Sequence, residues 1–350
     1  MRKVNVTQGR SRGITLVELM VALALSLLLL LGVGTVFVAN KQAFRLQESL
    51  ARVQENGRFA LQAIVRDIRN AGYLGCDSRR KLAVQNTLNG AKWQAALEFP
   101  LVGFDANGNS WTPAPDGDGS PTAPVASPTA SAKPDLASDM IMLNLGIGTG
   151  ARVIQHNLPS ADIKVEPNAE IDTGDILLVS DCQFGAIFQA TNVQNLSTAN
   201  TNIVHNTGTG TPGNSTKNLV RRFGPQARVM RLASRVYYVS TGTGGEPALF
   251  RIDNGGTPEE LVEGIEALQF IFGMDNDGDN VIDAYVKASG VGTAWDKVLA
   301  VRVQLVARSA NDRVLSKATD YAFNDNVLKG TDRRLRKQFG ATVVLRNRLP

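Results

Sequence analysis

The sequence has few of the side chains that usually carry enzyme chemistry. It contains two histidines and two cysteines in 350 residues. His156 and His205 lie in polar, loop-like sequence with no nucleophile pattern beside them, so we expect both at the surface. No phosphate-binding or dinucleotide-binding glycine motif occurs, and the G-x-S-x-G match at residues 9–13 has no strand before it. We therefore expect neither an enzyme nor a small-molecule substrate.

The chain also lacks a strong excess of charge beyond its first residues. The formal net charge is +5, but four cations and no acids lie before Ile14, and without them the net charge is +1. A nucleic-acid partner is therefore not expected. A second basic cluster follows Lys329, and we expect it to be a solvated face. Its members are Arg333, Arg334, Arg336, Lys337, Arg346 and Arg348.

The two cysteines are too few and too far apart for a zinc knuckle or a CxxC redox site. If the chain is exported, Cys76 and Cys182 can form one disulfide, which would stabilise the fold by roughly 4 to 5 kcal/mol. Two buried, unpaired thiols are the alternative. The residues alone leave both arrangements open.

A long apolar stretch between residues 14 and 39 has a single ionisable side chain, Glu18. As a helix rising 1.5 Å per residue, it is long enough to cross an apolar bilayer core of about 30 Å. A secretory signal peptide normally has a shorter apolar core and an A-x-A-like cleavage site. We therefore predict an uncleaved transmembrane segment at residues 14–40. A charge at membrane depth normally marks a partner or a function.

Helical spacing continues past the apolar stretch and predicts an amphipathic half of the same helix at residues 41–72. Gly72 and Gly75 provide the stop signal, so we expect one helix from Thr15 to Ala71. Its second half needs a surface on which to pack. The apolar positions are Leu46, Leu50, Val53, Leu61, Ile64 and Ile68.

The remaining residues, 73–350, predict a head built from strands and loops. No alternation of strands and helices occurs, so an α+β fold with a mostly antiparallel sheet is favoured over a doubly wound one. Polar, low-complexity sequence predicts mobile loops near residues 105–134 and 191–218. The predicted strands are 139–145, 175–179, 186–190, 228–239, 248–252, 265–272, 297–307 and 341–345.

The junction Gly13-Ile14-Thr15-Leu16-Val17-Glu18, followed by an apolar helix, resembles the class III signal of type IV pilins and pseudopilins. The resemblance implies a pilin-like fold, and a leader at residues 1–13 that a prepilin peptidase removes after Gly13. It also implies N-methylation of Ile14. Glu18 becomes the fifth residue of the mature chain, and we expect it to pair with the Ile14 amine of a neighbouring subunit and set the axial register, because a buried charge needs an opposite charge.

Later motifs resemble landmarks of PilW-type minor pilins. They include Ser180-Asp181-Cys182 and the closing Leu345-Arg346-Asn347-Arg348. The resemblance implies a non-enzymatic protein that helps initiate and assemble type IV pili, with links to twitching motility and adhesion. Its expected partners are other minor pilins, the major pilin, an adhesin-like tip protein and inner-membrane lipid. Its expected location is the inner membrane with a periplasmic head, and then the pilus.

Two other functions remain open. A minor pseudopilin of type II secretion, of the GspJ kind, would have the same leader and a similar head. A membrane-anchored adhesin would use the two polar loops to contact a surface. The downstream motifs favour the pilus.

The sequence DNDGDNVID at residues 275–283 is the one candidate ligand site. Asp275, Asp277, Asp279 and Asp283 can converge on a hard cation such as Ca²⁺ if the turn is tight. The loop departs from the EF-hand pattern, because its sixth position is Asn280 and its twelfth is not glutamate. An acidic, solvated turn between two strands is the alternative.

Overall fold

The computed structural model describes residues 15–75, 83–89, 99–107, 110–112, 138–167, 169–196, 199–208, 210–254, 256–324 and 326–348. The chain divides into two compact units, residues 1–51 and 52–350. A long apolar N-terminal helix and an antiparallel, β-rich head confirm the predicted α+β pilin-like class.

Helix α1 spans Leu16–Asn70, one residue inside each predicted end. In the first unit its apolar side chains are exposed. In the second unit one face is buried, with members spaced three and four residues apart as an amphipathic helix requires. The chain turns away at Gly72, whose φ of 74° suits a residue without a Cβ and whose N–H donates to the Asn144 carbonyl at 2.7 Å. The buried residues are Val53, Gly57, Ala60, Ile64, Asp67 and Ile68.

The rest of the described chain is mainly strands. They are β1 (Ala83–Asn86), β2 (Leu101–Asn107), β3 (Ser110–Thr112), β4 (Met140–Asn157), β5 (Asp162–Val165), β6 (Ile176–Ser180), β7 (Phe184–Gln189), β8 (Asn192–Leu196), β9 (Asn200–Val204), β10 (Arg228–Thr241), β11 (Pro247–Asp253), β12 (Glu259–Glu263), β13 (Ile265–Met274), β14 (Ala284–Val286), β15 (Val298–Arg308), β16 (Tyr321–Phe323), β17 (Asn326–Leu328) and β18 (Arg336–Val344). A short helix α2 (Ala288–Val291) precedes β15, and 3-10 turns occur at Trp295–Lys297 and Arg346–Arg348.

The strands form two sheets and a hairpin. The large sheet follows the order β1-β7-β6-β10-β4-β5-β9-β8, with β11 and β12 added beside β10 and β2 and β3 added beside β4. The small sheet has the order β14-β13-β15-β18, and β16 pairs with β17. Neighbouring strands are antiparallel except β1 and β7. The eight predicted strands are all present with shifted ends. Most strands that were not predicted are short or polar, but β2 has seven residues and an apolar, buried first half.

The two polar regions differ from the predicted loops. Within residues 191–218, β8 and β9 form an antiparallel pair, and Thr201 and Ile203 are fully buried. Alternating burial along β9 shows why the polar composition was misleading, since one face of the strand packs inward while the other carries the polar side chains. Residues 101–107 and 110–112 form β2 and β3, and residues 113–137 lie outside the described residues.

The main hydrophobic core joins the second half of α1 to both sheets. Ile64 and Ile68 of the helix are fully buried with Phe104 of β2, Tyr237 of β10 and Phe270 of β13. A separate core lies under β5, β7 and β9. The helix is therefore part of the fold of the head, in agreement with the amphipathic pattern of its sequence.

A buried carboxylate fixes the helix against β10. Asp67 accepts a hydrogen bond from the Tyr237 hydroxyl at 2.6 Å and pairs with Arg235 at 3.0 Å. Burial raises the pKa of Tyr237, and the neighbouring Asp67 charge raises it further, so the phenol remains a donor. Asp67 follows Ile64 by three residues and therefore lies on the buried face of the helix, although it is not one of the apolar positions that defined that face.

The C-terminal basic cluster is not the uniformly solvated face that was expected. The Arg336 side chain is 3% exposed and pairs with Glu266 at 2.6 Å and with Asp332. Arg334 reaches Glu246 at 3.0 Å. These guanidinium groups are internal because β18 lies beside β15 and turns them toward carboxylates from distant parts of the chain. Lys337 and Arg346 are exposed as expected.

Gly57 lies where the helix packs against Phe339 of β18. A Cβ at this position would overlap the ring of Phe339. Glycine is otherwise unfavourable inside a helix, by about 1 kcal/mol relative to alanine. Its presence here is explained by the space that the Phe339 ring occupies.

We expect Gly57→Ala to destabilise the head by roughly 1 to 3 kcal/mol, because overpacking outweighs the gain in helix propensity. Denaturant unfolding of the mature chain in detergent micelles measures the change. Gly224→Ala is the matched control, since no atom lies within 4 Å of a Cβ there. Phe339→Leu should restore stability to the Gly57→Ala variant. A Gly57→Ala variant more stable than wild type would contradict this packing.

Candidate functional site

The N-terminal end of α1 is closed by a reciprocal pair of side chains. The Thr15 N–H and hydroxyl both donate to Oε2 of Glu18, at 2.9 and 3.0 Å. The Glu18 N–H donates in return to the Thr15 hydroxyl oxygen at 3.2 Å. This is a capping box, which satisfies N–H groups that have no partner in the first turn of a helix. The sequence signal, Thr-x-x-Glu before an apolar stretch, was present but was not used.

The capping box leaves part of the Glu18 carboxylate available. Among the described residues, the hydrogen bonds to this side chain all fall on Oε2. The other oxygen has room to accept from a second group. Glu18 can therefore cap its own helix and still meet a cation brought by another chain.

The first part of α1 presents a continuous apolar surface. Large side chains from Leu16 to Phe44 are more than half exposed, and Leu29 is 71% exposed. Among the described residues, α1 is the helix long and apolar enough to cross a membrane. An apolar surface of this size needs lipid or other apolar helices around it. Gly13 and Ile14, the predicted cleavage and methylation residues, lie outside the described residues.

The acidic loop between β13 and β14 brings three of the four predicted ligands together. Oxygen atoms of Asp275, Asp277 and Asp283 lie within 4.8 Å of one another. Asp279 is not in this group, and its Oδ1 accepts the Val281 N–H at 2.7 Å. Such a set of carboxylate oxygens suits a hard cation. The predicted convergence is thus found for three residues.

The loop also holds its shape through its own backbone. Asp275 accepts the N–H groups of Gly278 and Asn280, at 2.6 and 3.0 Å. Burial raises the pKa of Asp275, but these N–H donors lower it by more, so the net pKa is below the ordinary value. Both Gly278 and Asn280 have positive φ, 88° and 66°, which the tight turn requires. The geometry therefore agrees with a calcium loop and also with a solvated acidic turn.

We expect 10 mM Ca²⁺ to raise the Tm of the head by about 2 to 6 °C, as a weak site with a Kd near 0.1 to 1 mM would. EDTA should reverse the shift. Asp277→Asn should abolish it, whereas Asp279→Asn is the matched control and should keep it. A Tm that is indifferent to calcium and EDTA in the wild type would show that the loop is only an acidic turn.

The two histidines are buried, so the expectation that they lie at the surface was wrong. His156 is 1% exposed and His205 is 0% exposed. Their rings meet edge to face at 6.2 Å, and His156 Nδ1 accepts the Phe223 N–H at 3.1 Å. His205 faces inward because Thr201, Ile203 and His205 alternate along one face of β9 and its extension. That period of two was visible in the sequence.

Both imidazoles are held neutral. Burial lowers the pKa of His205 to about 4, and repulsion from His156 contributes. Burial also lowers the pKa of His156, with Arg222 adding to the effect and Asp162 opposing it. Among the described residues, His156 Nε2 and both nitrogens of His205 have no hydrogen-bond partner. A proton on either ring would therefore carry charge into an apolar core.

We expect acid to destabilise the head through His205. Its folded pKa is below the unfolded value of about 6.5, so the contribution is complete above pH 6.5 and is lost as the pH falls toward 4. The loss should approach roughly 3 kcal/mol. Unfolding free energies of wild type and His205→Leu, measured at pH 7 and pH 4.5, isolate this contribution. Equal pH dependence in both proteins would contradict it.

Of the two cysteines of the predicted disulfide, one lies among the described residues. Cys182 is disulfide-bonded and follows β6 in a tight turn, with φ of 67°. Cys76 lies outside the described residues. The pairing of Cys76 with Cys182 therefore stays a prediction.

Two family models match the chain. Residues 236–347 match the family described as type IV pilus-assembly protein W, and residues 9–34 match the prokaryotic N-terminal methylation motif. The first match begins within β10 and includes the small sheet and the acidic loop. The second contains the leader junction and the start of α1. No curated protein and no solved structure matches the chain.

Proposed function

The two matches support a type IV minor pilin of the PilW type, and from this premise we propose that the chain helps to initiate and assemble type IV pili. It does so through contacts with other minor pilins and the major pilin. The families that match consist of structural, non-enzymatic proteins. The single observation that carries the proposal is the exposed apolar start of α1 with Glu18 at its first turn.

The membrane is the environment of this helix before assembly. The N-terminal methylation motif and the apolar helix support a membrane-anchored pilin. Four basic residues precede Ile14, and basic segments favour the cytoplasmic side of a membrane. The head then faces the periplasm. A prepilin peptidase cuts between Gly13 and Ile14, and the new Ile14 amine is methylated.

In the filament, Glu18 has a partner outside its own helix, in addition to the capping contacts with Thr15. When apolar helices bundle, its carboxylate leaves lipid headgroups and water and becomes buried, which is costly without an opposite charge. The mature chain supplies one such charge at the Ile14 amine of a neighbouring subunit. The capping box supports this pairing, since it orients the carboxylate and occupies only Oε2 among the described contacts. The pair then sets the axial register of the subunit.

Two rivals use the same anchor. A type II secretion pseudopilin would assemble in the same way but serve protein secretion, and the match to a pilus-assembly family favours the pilus. An adhesin would use exposed loops of the head. The structure weakens the choice of residues 191–218 for that purpose, because β8 and β9 are part of the large sheet.

The test separates capping from charge pairing. Glutamine preserves the capping box, because the amide oxygen of its side chain also accepts the Thr15 N–H. If pairing with an amine is essential, Glu18→Gln should reduce the amount of this chain in sheared pili at least tenfold, although the membrane fraction still contains it. Thr15→Ala is the matched control, since it removes the capping hydroxyl and keeps the charge. It should enter pili almost normally.

Immunoblots of the pilus and membrane fractions give the ratio, and N-terminal sequencing verifies that each variant begins at Ile14. Normal incorporation of Glu18→Gln would refute the pairing. In a deletion strain we expect few pili and poor twitching. Lost protein secretion with normal pili would favour the pseudopilin instead, and lost attachment with a normal number of pili would favour the adhesin.

A further inference from the structure

A cavity of about 490 Å³ lies where β2, the start of β4, β13 and the β16–β17 hairpin meet. A volume of this size is within the range of ligand sites, which is about 300 to 1,000 Å³. One wall carries Asp105, Asp139 and Gln269, and the hairpin supplies Phe323, Val327 and Leu328. None of these residues belongs to the anchor or to the acidic loop.

Asp139 is the unusual group in this cavity. It is 4% exposed, and its two oxygens accept the N–H groups of Ala106 at 2.9 Å and Phe270 at 3.0 Å. Burial raises its pKa to about 7, and the nearby Asp105 adds to the rise, while the two N–H donors and Lys287 oppose it. A buried carboxyl group with a raised pKa would gain from a nearby cation.

Lys287 also lines the cavity, and its charge opposes the rise in the pKa of Asp139. Its side chain is exposed, and among the described residues no Lys or Arg lies within ion-pair distance of Asp139. Asp105 is held on the same wall by the N–H groups of Ala288 and Ser289, at 2.9 and 2.8 Å. The inner wall is thus a pair of carboxyl groups in a partly desolvated space, where electrostatic attraction to a cation is strong.

The β16–β17 hairpin adds apolar side chains to the lining of the cavity. Phe323 is 3% exposed, and Val327 is 74% exposed. Apolar groups together with carboxyl groups in one cavity match a lysine side chain, which has a long hydrocarbon stem and a terminal ammonium. An amino sugar has the same ammonium but lacks the apolar stem.

We propose that this cavity binds a lysine side chain of a partner protein, with the ammonium against Asp139 and Asp105 and the stem against Phe323 and Leu328. The proposal goes beyond pilus assembly and does not rest on it. It assigns the head a chemically defined recognition site, distinct from the helix that anchors the chain.

The test uses the mature full chain in detergent micelles and Nα-acetyl-lysine methylamide as the probe, followed by isothermal titration calorimetry. The probe should bind more tightly by about tenfold at pH 8 than at pH 6, because a group with a pKa near 7 goes from mostly protonated to mostly ionised over that range. The Nε-acetylated probe, which has no charge, should not bind.

Two variants test whether the probe binds in the cavity. Val327→Trp should fill the mouth and weaken binding at least tenfold without lowering the Tm. Val281→Trp is the matched control, because Val281 is also an exposed valine, at 61%, and lies in the acidic loop. It should bind like wild type. Asp139→Asn should remove the pH dependence of binding. If that variant does not fold, the comparison of Val327→Trp with Val281→Trp still tests whether the probe binds in the cavity.

Several results would overturn the proposal. They are binding of the Nε-acetylated probe as tight as that of the charged one, an affinity independent of pH, and equal binding by the Val327→Trp and Val281→Trp variants. Binding of glucosamine without binding of the lysine probe would also overturn it, in favour of an amino-sugar site. None of these results bears on the proposed assembly role of Glu18, because that role is tested by the amount of the chain in sheared pili.

Discussion

Asp67 is a charge that the fold cannot leave unpaired. It lies on the face of α1 that packs against β10, and it is 1% exposed. A buried carboxylate without partners costs several kcal/mol, so the Tyr237 hydroxyl and the Arg235 guanidinium must both reach it. That requirement sets the rotation of the helix and its position along the strand. Hydrophobic contacts at Ile64 and Ile68 alone would tolerate a shift that these directional contacts do not.

A second buried network lies within the small sheet and extends to Glu246, just before β11. Glu266 is 3% exposed and contacts Arg336 at 2.6 Å and Arg308 at 3.0 Å. Glu246 then pairs with Arg308 and Arg334. Arginine suits these positions because its planar guanidinium presents several donors at once. Apolar packing therefore stabilises the interior of the head. Carboxylate–guanidinium networks add directional contacts that fix how neighbouring elements are positioned.

The two parts of α1 obey different constraints. After Arg52 the helix is one layer of a folded head, and its buried face alternates at intervals of three and four residues. Before that point its apolar side chains are exposed among the described residues, and such a surface needs lipid or other helices around it. Glu18 fits this division, because among the described contacts it is a capping residue, and its charge is needed in the proposed pairing with a second subunit. The fold of the head and the proposed assembly role thus depend on different residues of one helix.

Local patterns in the sequence determined the helix, its end near Gly72 and most strands of the core, since each depends on residues close together in the chain. The Thr15–Glu18 capping box and the inward face of β9 were equally local and could have been found. Only the tertiary structure decided that His156 and Arg336 are buried, and that Asp279 stands apart from the other acidic ligands. It alone brought Asp139 to a cavity between sheets. These outcomes depend on which distant segments meet, and composition carries no information about that.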